Sequence, residues 1–107
     1  MNRRKRQRLE AKGWKLGSAA EFLNLTADEA ALIEIKLALS RSLRERRQKR
    51  MTQAQLAQRL KSSQPRVAKA EGGDASVSME LLVRAMLATG ATPKDIAGAI
   101  SAAGSRP

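Results

Sequence analysis

The sequence predicts an all-α domain, and three observations carry that expectation. Aromatic residues make up only 2% of the chain, and Ala and Leu dominate the 42% that is apolar; such residues favour helices over strands. Boxes of Ser or Thr followed three residues later by Glu or Gln recur at Ser18–Glu21, Thr26–Glu29 and Thr52–Gln55. Each box supplies reciprocal hydrogen bonds to the free N–H groups of a helix start. Gly72-Gly73, Gly90 and Pro93 punctuate the apolar runs where helices would have to stop or begin.

Residues 1–25 form a basic N-terminal arm followed by a short hydrophobic segment. The arm carries Arg3, Arg4, Lys5, Arg6, Arg8, Lys12 and Lys15 against Glu10 alone and has no apolar period. Two readings fit it: a solubilising tail, or an arm that follows phosphates or a minor groove. Trp14, Leu16, Phe22, Leu23 and Leu25 then cluster, with a short helix expected from the Ser18 box. Such a cluster can fold back as a satellite core or serve as a docking surface.

Residues 26–107 are expected to form one domain. The Thr26 box opens a long helix to about Lys49, with Leu32, Ile35, Leu39 and Leu43 as its core stripe. Ile33 and Leu37 widen the stripe beyond what one buried face requires. The first half of the helix is therefore expected to bury two sides, one against the domain core and the other against a second subunit or the Trp14–Phe22 segment. Its second half is basic, with Arg41, Arg44, Arg46, Arg47, Lys49 and Arg50 against Glu45.

Thr52 caps a helix carrying Leu56, Ala57 and Leu60. Lys61-Ser62-Ser63 makes a turn, and Ser63 caps the next helix, Gln64 to Glu71. Pro65 is tolerable in its first turn, where backbone N–H groups have no helical partner. Ser78 caps a helix with Leu81, Leu82, Val83, Met86 and Leu87 inward, stopped at Gly90. Thr92-Pro93 opens a last helix to about Ala102.

Composition narrows the function. The chain holds 21 Lys+Arg against 10 Asp+Glu, a net charge of +11, which calls for a polyanionic partner. It has no Cys and no His, so thiol nucleophiles, imidazole bases and the usual zinc ligands are absent. The carboxylates do not cluster, and no Gly-rich phosphate loop occurs. No enzymatic activity, cofactor, catalytic residue or metal site is expected. No apolar run approaches the ~20 residues that span a bilayer, and no apolar signal core follows the basic start; a cytoplasmic protein without a membrane partner is expected.

The stretch Thr52 to Gly73, two short helices joined by a tight turn, has the layout of a helix-turn-helix reader of double-stranded DNA. At 100° per residue, Val67 and Ala70 share one side of the Gln64–Glu71 helix and are assigned to the core. Gln64, Pro65, Ala68 and Lys69 share the other, and Arg66 lies at the border. Gln can bond an adenine edge bidentately, and Lys can donate to guanine O6 and N7. Arg66 has the reach for a phosphate or a base. Thr52, Gln53, Ser62 and Ser63 sit at helix starts, where hydroxyls, amides and backbone N–H groups hold phosphates. The expected DNA-binding residues are therefore Thr52, Gln53, Ser62, Ser63, Gln64, Arg66 and Lys69.

This stretch resembles the Xre family of lambda-repressor-like helix-turn-helix proteins through Thr52, Gln53, Leu56, Ala57, Ser63, Gln64, Val67 and Glu71. The resemblance covers Leu43 to about Ile100. It implies a lambda-repressor-like bundle of about five helices, with Gln64 to Glu71 in the major groove. It also implies that Gln53 braces Gln64 and contacts phosphate, and that Glu71 pairs with Arg46 or Arg47. Lys61 stands where the family commonly has Gly, and the loop before Met51 lacks the usual small residue. The longer pattern, with GWKLGSAAEFLNL before the charged helix and SSQPRVAKAEGGDASVS after it, is similar to the HigA-type antitoxin regulators. That likeness implies an autoregulatory homodimeric repressor and a small RelE-like toxin as a partner. Two other readings remain open: a protein-interaction module that neutralises a toxin without being a dedicated regulator, and a general RNA-binding basic protein, for which stacking aromatics are nearly lacking.

Overall fold

The computed structural model describes residues 24–104. The basic arm, the Ser18 box and Trp14, Leu16, Phe22 and Leu23 of the hydrophobic cluster lie outside the described residues. Five helices and no strand occur among the described residues: α1 (Ala27–Gln48), α2 (Gln53–Arg59), α3 (Gln64–Glu71), α4 (Met79–Ala88) and α5 (Pro93–Gly104). Among them, no helix is long and apolar enough to cross a membrane.

The chain divides into two compact units, one reaching Glu34 and the other starting at Ile35. In the first, Asn24 takes a left-handed backbone (φ 59°). The capping box then forms: the Glu29 N–H donates to Thr26 Oγ1 at 3.1 Å, and the Thr26 N–H to Glu29 Oε1 at 3.0 Å. Leu32 and Ile33 remain 47% and 36% exposed in the first turns of α1. The expected stripe is thus only partly buried. Leu39 and Leu43 are wholly covered, Ile35 is half-buried, and Leu32 stays exposed.

The second unit is built on an aliphatic core of Leu39, Leu43, Leu56, Val67, Leu82 and Met86, each at most 2% exposed. Small residues (Ala57, Ala70, Ala85 and Ala91) complete it and allow the short helices to approach closely. Every helix of this unit that begins within it has a side-chain cap. Thr52 and Gln55 cap each other's backbone at α2, Ser63 accepts from the Arg66 N–H at α3, Ser78 from the Leu81 N–H at α4, and Thr92 and Asp95 form a box at α5.

Three helices stop in the same way. After α2, α3 and α4 the chain enters a left-handed residue, Lys61 (φ 53°), Gly73 (φ 75°) and Gly90 (φ 92°). The next N–H then reaches back to the helix: Ser62 to Ala57 O at 2.9 Å, Asp74 to Lys69 O at 3.2 Å, and Ala91 to Met86 O at 3.2 Å. This is the Schellman stop, which satisfies carbonyls the helix would otherwise orphan. Glycine is the residue for that backbone at two of the three positions. At Lys61 an L side chain carries the strain.

On α4 the buried residues are Leu81, Leu82, Ala85 and Met86, with Thr89 buried just beyond its end. Leu87 points away from the centre of that arc and is 46% exposed, and Val83 is half-buried at its edge. The expectation that Leu87 faces inward is therefore corrected. α4 is apolar nearly all round, so composition alone does not choose its buried side.

Candidate nucleic-acid interface

α2 and α3 pack through Leu56, Ala57, Val67 and Ala70, all buried. The tight turn between them follows from the stop at Lys61, where the Lys61 and Ser62 N–H groups bond to Gln58 O and Ala57 O. With Val67 and Ala70 turned inward, α3 presents Gln64, Pro65, Arg66, Ala68 and Lys69 to solvent. Arg66, at the border by angle, falls on the exposed side.

Thr52 and Ser63 are exposed, and their hydroxyl oxygens already accept the helix-start N–H groups of Gln55 and Arg66. Each hydroxyl still has its own hydrogen to donate outward. Ser62 is half-buried and its N–H is committed to Ala57 O. Gln53 is half-buried and joins two neighbours. Its Nε2 donates to Glu71 Oε1 at 3.1 Å, and its Oε1 accepts from Gln64 Nε2 at 3.5 Å.

Glu71 is the buried end of this row, with its side chain only 4% exposed. Arg47 grips it bidentately, Nε to Oε2 at 2.6 Å and Nη2 to Oε1 at 2.7 Å. A carboxylate this deep is held only if its charge and lone pairs are matched. Burial pushes the carboxyl pKa up. Hydrogen bonds from Arg47 and Gln53, with the charges of Arg47 and Arg44, outweigh that effect and hold it below the ordinary carboxylate value. Of the two arginines left open by sequence, Arg47 is the partner. Arg46 turns to the other side of α1, where its Nε donates to Thr89 Oγ1 at 3.3 Å and its guanidinium stands 4.0 Å from Asp95.

Beside Gln64 lies a concave surface of about 550 Å³. The end of α1, the connecting loop and the start of α2 line it, with Lys49, Arg50, Thr52, Gln53 and Gln64 among its residues. Lys49 and Arg50 are exposed. A hollow bounded by cations, amides and a helix start is suited to an anionic backbone running past it. Thr52, Gln53 and Gln64 of the expected site meet at this surface. Ser62, Ser63, Arg66 and Lys69 do not line it.

Sequence reasoning did not place Lys49 and Arg50 in the site. The signal was present as the basic end of the long helix, but assigning it required the path of the loop.

A helix-turn-helix domain family matches residues 38–98, more than half of the chain. No curated protein and no solved structure gave a match. With two capped helices around a tight turn and the second offering an exposed polar face beside a basic hollow, the chain belongs to the helix-turn-helix domain family of DNA-binding proteins.

Proposed function

We propose that this protein is a sequence-specific transcriptional repressor that binds its operator as a homodimer, with α3 in the major groove and the α1–α2 loop against the phosphate backbone. The observation that carries the reading is the exposed row Gln64, Arg66 and Lys69 on α3, adjoining the hollow bounded by Lys49, Arg50 and Thr52. Base-reading and phosphate-holding chemistry thus lie side by side, as a groove-bound helix requires. Two recognition helices related by a two-fold axis would meet half-sites about 34 Å apart. The pairing of Glu71 with Arg47 and of Gln53 with Gln64 agrees with the lambda-repressor-like resemblance, and it is that resemblance from which an autoregulatory role is proposed. The chain acts by binding rather than catalysis, works without a cofactor and resides in the cytoplasm.

The test is fluorescence anisotropy of the full chain on the duplex upstream of its own gene, against a scrambled duplex at physiological salt. The expected preference is about a thousandfold or more. Gln64→Ala is expected to cost about 1–3 kcal/mol at one base pair and to relax the sequence preference there. An equal loss on both duplexes would refute base reading by Gln64.

A second role, antitoxin to a small RelE-like toxin, is favoured by Leu32 and Ile33, which stand 47% and 36% exposed on the first turns of α1. Apolar side chains left open there suit a protein partner. Co-expression with the neighbouring reading frame tests it. A frame that is harmless alone and forms no complex with this chain would remove that role.

A further inference from the structure

We propose that the outermost line of α3, formed by Pro65 and Ala68, is a seat for the C5-methyl group of a thymine. It adds a second determinant of sequence beside Gln64. The inference rests on α3 lying in the major groove, as proposed above, and takes in two residues whose side chains make no hydrogen bonds.

The direction in which α3 faces follows from what it buries. Val67, Ala70 and Glu71 are its covered residues. With Gln64 at zero and about 100° per residue, Val67 and Ala70 lie at about 300° and 240°. The line farthest from the core therefore runs at about 90°, opposite the midpoint of that pair. Pro65 stands at about 100° and Ala68 at about 40°, with Lys69 at about 140°. Pro65 and Ala68 are both exposed. The part of α3 that points most directly at a groove floor is thus apolar, and the Gln64 amide and the Lys69 ammonium stand to either side of it.

Such a surface selects by what it cannot do. A cytosine or adenine amino group pressed beneath Pro65 and Ala68 would lose its water and gain no partner, which is unfavourable. Thymine alone carries a methyl carbon at its major-groove edge, and that group has no hydrogen bond to lose. Burying it removes apolar surface from water. The contact also forms without freezing a rotamer, because alanine and proline have almost no side-chain freedom to lose. A leucine or methionine in the same place would have to be ordered first. Pro65 is fixed further by its place in the first turn, where the ring suits the helical backbone and no N–H is missed.

The full chain is incubated with a duplex pool randomised in its central portion, and the bound sequences give the preferred site. Each thymine of that site is then replaced, one at a time, by deoxyuridine, which lacks only the methyl. Fluorescence anisotropy is expected to show one thymine at which this change weakens binding about two- to fourfold, up to the worth of one buried methylene. At the same position 5-methylcytosine is expected to bind more tightly than cytosine by a similar factor. In Ala68→Gly the deoxyuridine effect there should fall to within about 1.5-fold of unity, with the preference read by Gln64 unchanged.

Ala68→Ser disturbs the helix less than glycine does and sets a hydroxyl against the methyl. It is expected to narrow the difference in the same way, and it decides the question should Ala68→Gly fail to fold by circular dichroism. A preferred site in which no thymine responds to loss of its methyl overturns the inference and leaves α3 as a reader. So does a deoxyuridine effect that persists in full in the folded Ala68 variants, since the methyl then meets another group. A wild-type selection with no sequence preference overturns the reading role itself, and the methyl seat with it.

Discussion

Lys61 gives the sharpest test of the turn between α2 and α3. It sits at φ 53°, in the left-handed region, as the stop residue of α2. An L residue there costs about 1–2 kcal/mol through the crowding of Cβ against its carbonyl. Glycine removes that cost but brings about 0.4–1 kcal/mol of extra entropy to the unfolded chain. The difference leaves Lys61→Gly more stable by about 0.8 kcal/mol, or ~3–6 °C in Tm for a fold of this size. Lys61→Ala is the control. It removes the same charge and keeps Cβ, so no gain of that kind is expected from it. Urea denaturation followed by circular dichroism reads both variants against wild type. If Gly is no more stable than Ala, the backbone of Lys61 is not strained and the reasoning fails.

Two further outcomes concern the interface and its buried anchor. Replacing Lys49 and Arg50 together with Ala is expected to weaken binding to operator and scrambled DNA alike. The slope of log affinity against log salt should fall by up to about 1.8, at ~0.9 for each phosphate left without its cation; an unchanged slope would remove the loop from the interface. The Arg47–Glu71 pair makes stability depend on acid. Since the folded pKa of Glu71 lies below its ordinary value of 4.5, the contribution is complete above that pH and is lost as pH falls through the folded pKa. Wild type is expected to exceed Glu71→Gln by about 1–3 kcal/mol at pH 7, with the gap closing in urea midpoints taken at pH values falling below 4.5. A constant gap across that range would show that the pair's charge is not what stabilises.

The elements legible in the sequence were those with local chemistry. Thr26 with Glu29, Thr52 with Gln55, and Ser63 and Ser78 cap where their side chains can reach a nearby N–H. Gly73 and Gly90 stop helices because they tolerate positive φ. Lys61 makes the same stop, but nothing in a lysine announces left-handed backbone. The buried side of α4 was illegible for a different reason. With apolar residues at 81, 82, 83, 85, 86, 87 and 88, the periodicity gives no contrast, and only the neighbouring helices place Leu87 outside. The choice between Arg46 and Arg47 depended on the loop after α1. One step of 100° along the helix separates the Glu71 side from the Thr89 and Asp95 side. Ser62, Ser63, Arg66 and Lys69 have the chemistry expected of them, yet only Thr52, Gln53 and Gln64 of the expected residues border the hollow. Side-chain type identifies a residue's capability, and tertiary placement decides which capabilities meet.

The helices of the reader are short, seven residues in α2 and eight in α3. Helices below about 12–15 residues are marginal alone in water, so the reading surface has no existence apart from the bundle that holds it. A peptide cut from Thr52 to Gly73 would be a coil carrying the correct letters and no meaning. Agents that never approach the DNA, such as a protease cutting α1 or a partner prying α4 from its seat, would therefore release bound DNA as completely as a competitor for it.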